Sequence, residues 1–165
     1  MENSNTMHNS ADQLRKILHA NLLRLRRMSE QESLNNPGPG RWSRREILGH
    51  LIDSAANNHQ RFVRAQMHES LVFPGYEQSR WVEAQGYRDR SWSELVEVWT
   101  NMNLHLAHTI ERIPEIKWQT PCTIGDGNPV TLEFIVHDYM RHLQHHLEQI
   151  LSPENAAGKK HPPFG

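Results

Sequence analysis

Three histidines, His142, His145 and His146, fall within five residues of one apolar-periodic segment, HDYMRHLQHHLEQIL. His142 and His146 are four apart, so on a helix their rings project from one face, one turn from each other. His50 lies in a second such segment, WSRREILGHLIDSAANNHQRF. Two imidazoles at this spacing, closed by a third from a facing helix, build an open three-histidine metal site. Neutral imidazole ligates zinc, nickel, copper and iron. Three protein ligands leave a position for water, whose pKa a metal brings to about 7, or for a thiol held deprotonated. A lone histidine on an apolar stripe is more often a hydrogen-bonded core residue. The pair together with a third is what points to a metal, provided the two helices face each other.

The other titratable groups carry less. His145 points about 100° away from His146 on a helix and is expected behind the site, at an interface or at the surface. His137 sits on another face of that helix. His105 and His108 point different ways on their own helix, with one of them able to approach the site. His8, His19, His59, His68 and His161 have no partner logic. Asp53, one turn after His50, either accepts an N–H from a ligand imidazole and so orients it, or pairs with a surface cation. Asn57, Asn58 and Arg61 continue that side of the helix and could line a polar pocket. Cys122 lacks a Cys-His-Asn pattern and is not expected to be a nucleophile. The five tryptophans read as core and boundary residues.

Four helices must position these residues. Residues 1–9 read as a loose polar arm. From Ser10, Leu14, Ile17, Leu18, Leu22 and Leu25 follow helical spacing, up to the breaker run Asn35-Asn36-Pro37-Gly38-Pro39-Gly40. Helix two opens on a capping box, Ser43 with Glu46. Its inward stripe is Ile47, His50, Leu51, Ser54, Asn58 and Phe62. The middle of that stripe is polar, and such groups are either paired or used. Residues 67–90 break the pattern and read as a long connection with one short helix near 77–84. A connection of that length is often functional. Helix three starts at a second box, Ser91 with Glu94, and stops at Pro114. Residues 115–130 read as a loop with a small irregular hairpin around Gly125-Asp126-Gly127-Asn128-Pro129. Helix four starts near Thr131, carries His142 and His146, and ends at Pro153. The fold class expected is all-α, a four-helix bundle over residues 10–152 with a long crossover between helices two and three, and an extension over 153–165.

With 165 residues the chain reads as one domain with a proper core. A formal net charge of −1 gives no basic excess for a phosphate backbone, so no nucleic-acid partner is expected. The longest apolar runs are far too short for a membrane span. The polar N-terminal sequence has no apolar core of a secretory signal. One cysteine excludes an intramolecular disulfide framework and fits a reducing cytoplasm.

The segments WSRREILGHLIDSA, GYEQSRWVEAQGY and YMRHLQHHLEQI together resemble the DinB/YfiT-like superfamily of small four-helix bundles. The resemblance runs over roughly residues 12–151. It implies one metal histidine in helix two, His50, and two from the H-x-x-H-H motif of the last helix, His142 and His146. It also implies a divalent metal, nickel or zinc, with a solvent-open position, and frequent homodimers. Some relatives are described as metal-dependent hydrolases. Others are S-transferases acting with low-molecular-weight thiols such as bacillithiol or mycothiol. The expected function is therefore a metal-dependent hydrolase or thiol S-transferase acting on a small molecule in the cytoplasm. The alternative is a non-catalytic bundle that binds a metal or small ligand.

Overall fold

The computed structural model describes residues 2–151, with side chains from residue 9 onward. Ten elements of the main framework follow in order: α1 (Glu2–Arg27), α2 (Glu30–Ser33), α3 (Arg44–Met67), β1 (Leu71–Phe73), α4 (Gln78–Gln85), a 3-10 turn (Tyr87–Asp89), α5 (Trp92–Glu111), β2 (Pro121–Ile124), β3 (Val130–Thr131) and α6 (Leu132–Leu151). A second 3-10 turn, Glu115–Lys117, precedes β2. The four long helices α1, α3, α5 and α6 form the bundle. α1 and α3 each lie against both α5 and α6, so α1 and α3 occupy opposite corners. The crossover expected between the second and third bundle helices is the segment from Met67 to Trp92.

Two differences from the sequence reading concern the ends and the connections. Helix is continuous from Glu2, earlier than the expected start at Ser10. No proline or glycine stands in residues 2–9, and a helix nucleated by the apolar stripe extends cheaply through such a run. The stop at Pro153 and the 153–165 extension lie outside the described residues. The crossover holds the short helix expected there, but it also holds a strand. β1 pairs parallel to β2, Leu71 opposite Cys122, and β2 pairs antiparallel to β3, Pro121 opposite Thr131. Three residues with only Leu71 buried are too short to show a period-two pattern.

Local chemistry sets the helix ends. Ser43 and Glu46 form the expected capping box at α3, with Glu46 Oε2 accepting from the Ser43 N–H at 2.7 Å. At α5 the box forms by half. Ser91 Oγ accepts from the Glu94 N–H at 3.3 Å, while the Glu94 carboxylate faces Arg90 at 3.7 Å. The Trp92 N–H donates to Glu30 of α2, at 2.8 and 3.0 Å to its two oxygens. Thr131 Oγ1 accepts from the Phe134 N–H at 3.1 Å and opens α6.

The core lies between the four helices, with Leu14 and Leu25, Leu48 and Phe62, Trp99 and Ile110, and Leu143 and Ile150 buried. Among the described residues no helix is long and apolar enough to cross a membrane.

Candidate metal centre

Because α3 and α6 are neighbours, their inward stripes meet. His50 from α3, and His142 and His146 from α6, are brought together and buried. One ring nitrogen from each lies within 4.8 Å of the other two. The ring centroids are 5.0 Å apart for His50–His142, 4.8 Å for His50–His146 and 4.5 Å for His142–His146. His50 Nε2 faces His142 Nε2 at 3.0 Å. Trp42, at the foot of α3, flanks His50 with a centroid distance of 5.1 Å.

The rings are held from behind. Gln149 Oε1 lies 2.7 Å from His146 Nδ1, and Gln149 Nε2 lies 3.0 Å from His145 Nε2. With the amide nitrogen donating to His145, Oε1 accepts the Nδ1–H of His146 and leaves its Nε2 as the lone-pair nitrogen. Ser54 Oγ stands 3.5 Å from His142 Nδ1, so the Nε2 of that ring turns to the cluster as well. Polar groups placed behind imidazoles in this way fix tautomer and orientation in histidine metal sites.

The donor set fits a divalent transition metal. All three donors are imidazoles, the ligand type suited to zinc and nickel. Nitrogen ligands of a tetrahedral ion stand about 3.3 Å apart, so the widest gap need close by only about 1.5 Å.

Asp53 has a different set of neighbours from the expected imidazole. It is 2% exposed. Its Oδ1 accepts from Tyr87 Oη at 2.6 Å and from Gln85 Nε2 at 2.5 Å, and Tyr87 Oη also meets Gln85 Oε1 at 2.9 Å. Asp53 therefore ties the crossover to α3. Burial raises its pKa above the ordinary carboxylate value, and the bonds from Tyr87 and Gln85 draw it part of the way back. Asn57 and Asn58 donate to the carbonyls of Asp53 and Ser54 one turn earlier, both at 2.9 Å. His105 lies against His59, 5.1 Å between centroids and away from the cluster, and His108 is exposed. Cys122, in β2, is buried, which pushes its thiol up to about 11.

Periodicity puts Ser54 and Gln149 on inward stripes but gives them no role. Gln149 was reachable, since it stands three residues after His146 and four after His145, within side-chain reach on a helix. Tyr87 and Gln85 were not, because their contact with Asp53 depends on the path of the crossover.

Comparison with known proteins supplies the lineage. Residues 13–150 match the DinB superfamily. The chain belongs to that superfamily. It is also similar to the solved structure of YfiT from Bacillus subtilis, described as a probable metal-dependent hydrolase with an unusual four-helix bundle topology. That similarity has a TM-score of 0.72 at 17% identity and covers 96% of this chain and 87% of YfiT. At that identity it speaks for the fold alone. No curated protein matches the sequence.

Proposed function

We propose that this DinB-superfamily chain is a metal-dependent enzyme acting on a small molecule, with His50, His142 and His146 as ligands of one nickel or zinc ion. The observation that carries this is the meeting of three buried imidazoles from two helices, two of them backed by Ser54 and Gln149. The description of YfiT as a probable metal-dependent hydrolase supports the same reading. A divalent ion bound there supplies a water of pKa about 7 for hydrolysis, or a deprotonated low-molecular-weight thiol for S-transfer. The residues around it orient the imidazoles and shield them from solvent.

Elemental analysis of untagged protein, with His50→Ala and His142→Ala alongside, tests the centre. About one metal per chain, lost in both variants, is the expected result. No metal in the native protein, even after reconstitution, overturns it. A screen of ester, amide and thiol-transfer substrates then separates hydrolysis from S-transfer.

The burial of all three rings favours a second reading, a closed metal or ligand site without catalysis. Cobalt substitution separates the two readings. A visible spectrum that responds to azide marks an open coordination position, and an unresponsive one marks a closed site. A cytoplasmic location and a homodimer complete the proposal. Leu23 of α1 and Val98 and Leu104 of α5 are exposed apolar residues that would serve a dimer, and light scattering in solution decides it.

A further inference from the structure

α3 carries two buried arginines, and they differ in kind. Arg45 is saturated. Its guanidinium donates to Ser33 Oγ, to the carbonyls of Glu30, Arg88 and Arg90, and to Glu30 Oε2 at 2.6 Å. Arg61 is 1% exposed. Among the described residues no carboxylate lies within ion-pair distance of it. Among the described residues its one hydrogen bond is a long contact from Nη1 to Asn58 Oδ1 at 3.4 Å. Phe73 stacks beside it at 5.7 Å, and its Nε is buried without a partner. A buried cation with most of its donors unused is costly and calls for a missing partner.

Two further buried polar atoms lack partners: Tyr76 Oη, near Arg61, and Asp53 Oδ2, on a residue near Tyr76. Arg61 and Asp53 are both close enough to Tyr76 for their charges to act on it, and Asp138 of α6 acts on Arg61 in the same way. The Asp138 carboxylate is already held by Arg141 at 2.8 Å. Tyr76 lies in the irregular stretch 74–77 between β1 and α4.

Arg61 is also aligned with the histidines. It stands about three turns beyond His50 and within about 20° of it around the helix. Its side chain leans back toward the N-terminal end of α3. Asn58, which it touches, donates to Ser54 O at 2.9 Å and approaches Ser54 Oγ at 3.4 Å. Ser54 Oγ in turn meets His142 Nδ1 at 3.5 Å. One face of α3 thus runs from the imidazole cluster to an unsatisfied guanidinium.

We infer that Arg61 and the hydroxyl of Tyr76 anchor the carboxylate of a small monoanionic substrate whose reacting group lies at the histidine cluster. The inference rests on the proposed role of those histidines as the reactive centre. A free Nε beside an Nη offers the side-on fork that matches two coplanar carboxylate oxygens. One cation and one neutral hydroxyl balance a single negative charge, and Asp53 and Asp138 nearby disfavour a dianion such as phosphate.

The test uses the full-length, metal-replete protein titrated with acetate, lactate and inorganic phosphate, read by thermal shift and calorimetry. Metal content is measured separately on every sample. Acetate and lactate should stabilise the wild type. Tyr76→Phe, which removes only a hydroxyl, should weaken their binding about tenfold, and Arg61→Lys by at least about tenfold, with metal content unchanged. No carboxylate response in metal-replete wild type overturns the anchor alone. So does an equal response in Tyr76→Phe and Arg61→Lys, or a response to phosphate only. Carboxylate binding that is lost in the variants of a protein holding no metal overturns the metal reading and leaves the anion anchor standing.

Discussion

The ring of Tyr87 occupies the place where a side chain on Gly49 would be. A Cβ built on Gly49 would lie 2.2 Å from Tyr87 Cγ and Cδ2. This close approach lets Tyr87 reach Asp53 from the crossover, one turn along α3 from Gly49. In an open helix, glycine to alanine gains about 1 kcal/mol. Here the sign should reverse. Gly49→Ala must expel a buried ring, and a loss of about 2–4 kcal/mol is expected from overpacking together with the broken Asp53 bonds. Urea denaturation checks it, and a stabilised variant would mean that the crossover lies elsewhere.

Gln149 links His145 to His146. Gln149→Leu should keep the three imidazoles but release the tautomer and orientation of His146. A fall in metal affinity of about 10–100-fold is expected, against complete loss in His146→Ala. Competition with a chromophoric chelator measures both. Equal affinity in Gln149→Leu and wild type would leave Gln149 with no part in the site.

Arg45 joins α2, α3 and the end of the crossover in one buried network. Arg45→Met strands Ser33 Oγ and the carbonyls of Arg88 and Arg90, with an expected cost of about 2–4 kcal/mol. Arg61→Met strands little, and its change in stability is expected to be near zero or favourable. The two variants, compared in one denaturation series, separate a structural arginine from one kept for another purpose.

Asp53 should leave a signature in the pH dependence of stability. Its folded pKa is raised above the ordinary 3.8 by burial. Between 3.8 and that higher value the native state holds the proton more firmly than the unfolded chain. Stability from this group therefore falls as pH rises through that window, and the penalty is absent below about pH 4. Asp53→Asn retains an acceptor for Tyr87 and Gln85 and removes the slope. The change in unfolding free energy from pH 4 to pH 7 should be more favourable in the Asn variant than in wild type. An unchanged difference would show that Asp53 is not raised.

The helices and the histidine triad were legible in the sequence because each rests on local periodicity. Ser43 and Glu46 announce α3, and the spacing of His142 and His146 selects a face of α6. That α3 and α6 are neighbours was only a condition of the spacing argument, since periodicity does not say which helices meet; the family resemblance, which draws its three histidines from both helices, implied it. Asp53 shows where local reading stops. One turn from His50, it had an imidazole in reach by spacing, yet Tyr87 takes it, and only the path of the crossover decides that. Glu30 is the same case. The local pattern assigned the Ser91 amide to Glu94; that half of the box does not form, and Glu30 from another helix holds the next amide, that of Trp92.

That borrowed cap makes the start of α5 depend on α2. Until Glu30 arrives from 62 positions upstream, the first amide of α5 can be met only by water. The start of α5 is therefore expected to be loose wherever α2 is undocked. The same carboxylate that closes it also neutralises Arg45. Release of α2 would open the end of α5 and the arginine network together, so the amides of Trp92 and Ser93 should exchange with solvent as one cooperative unit with α2.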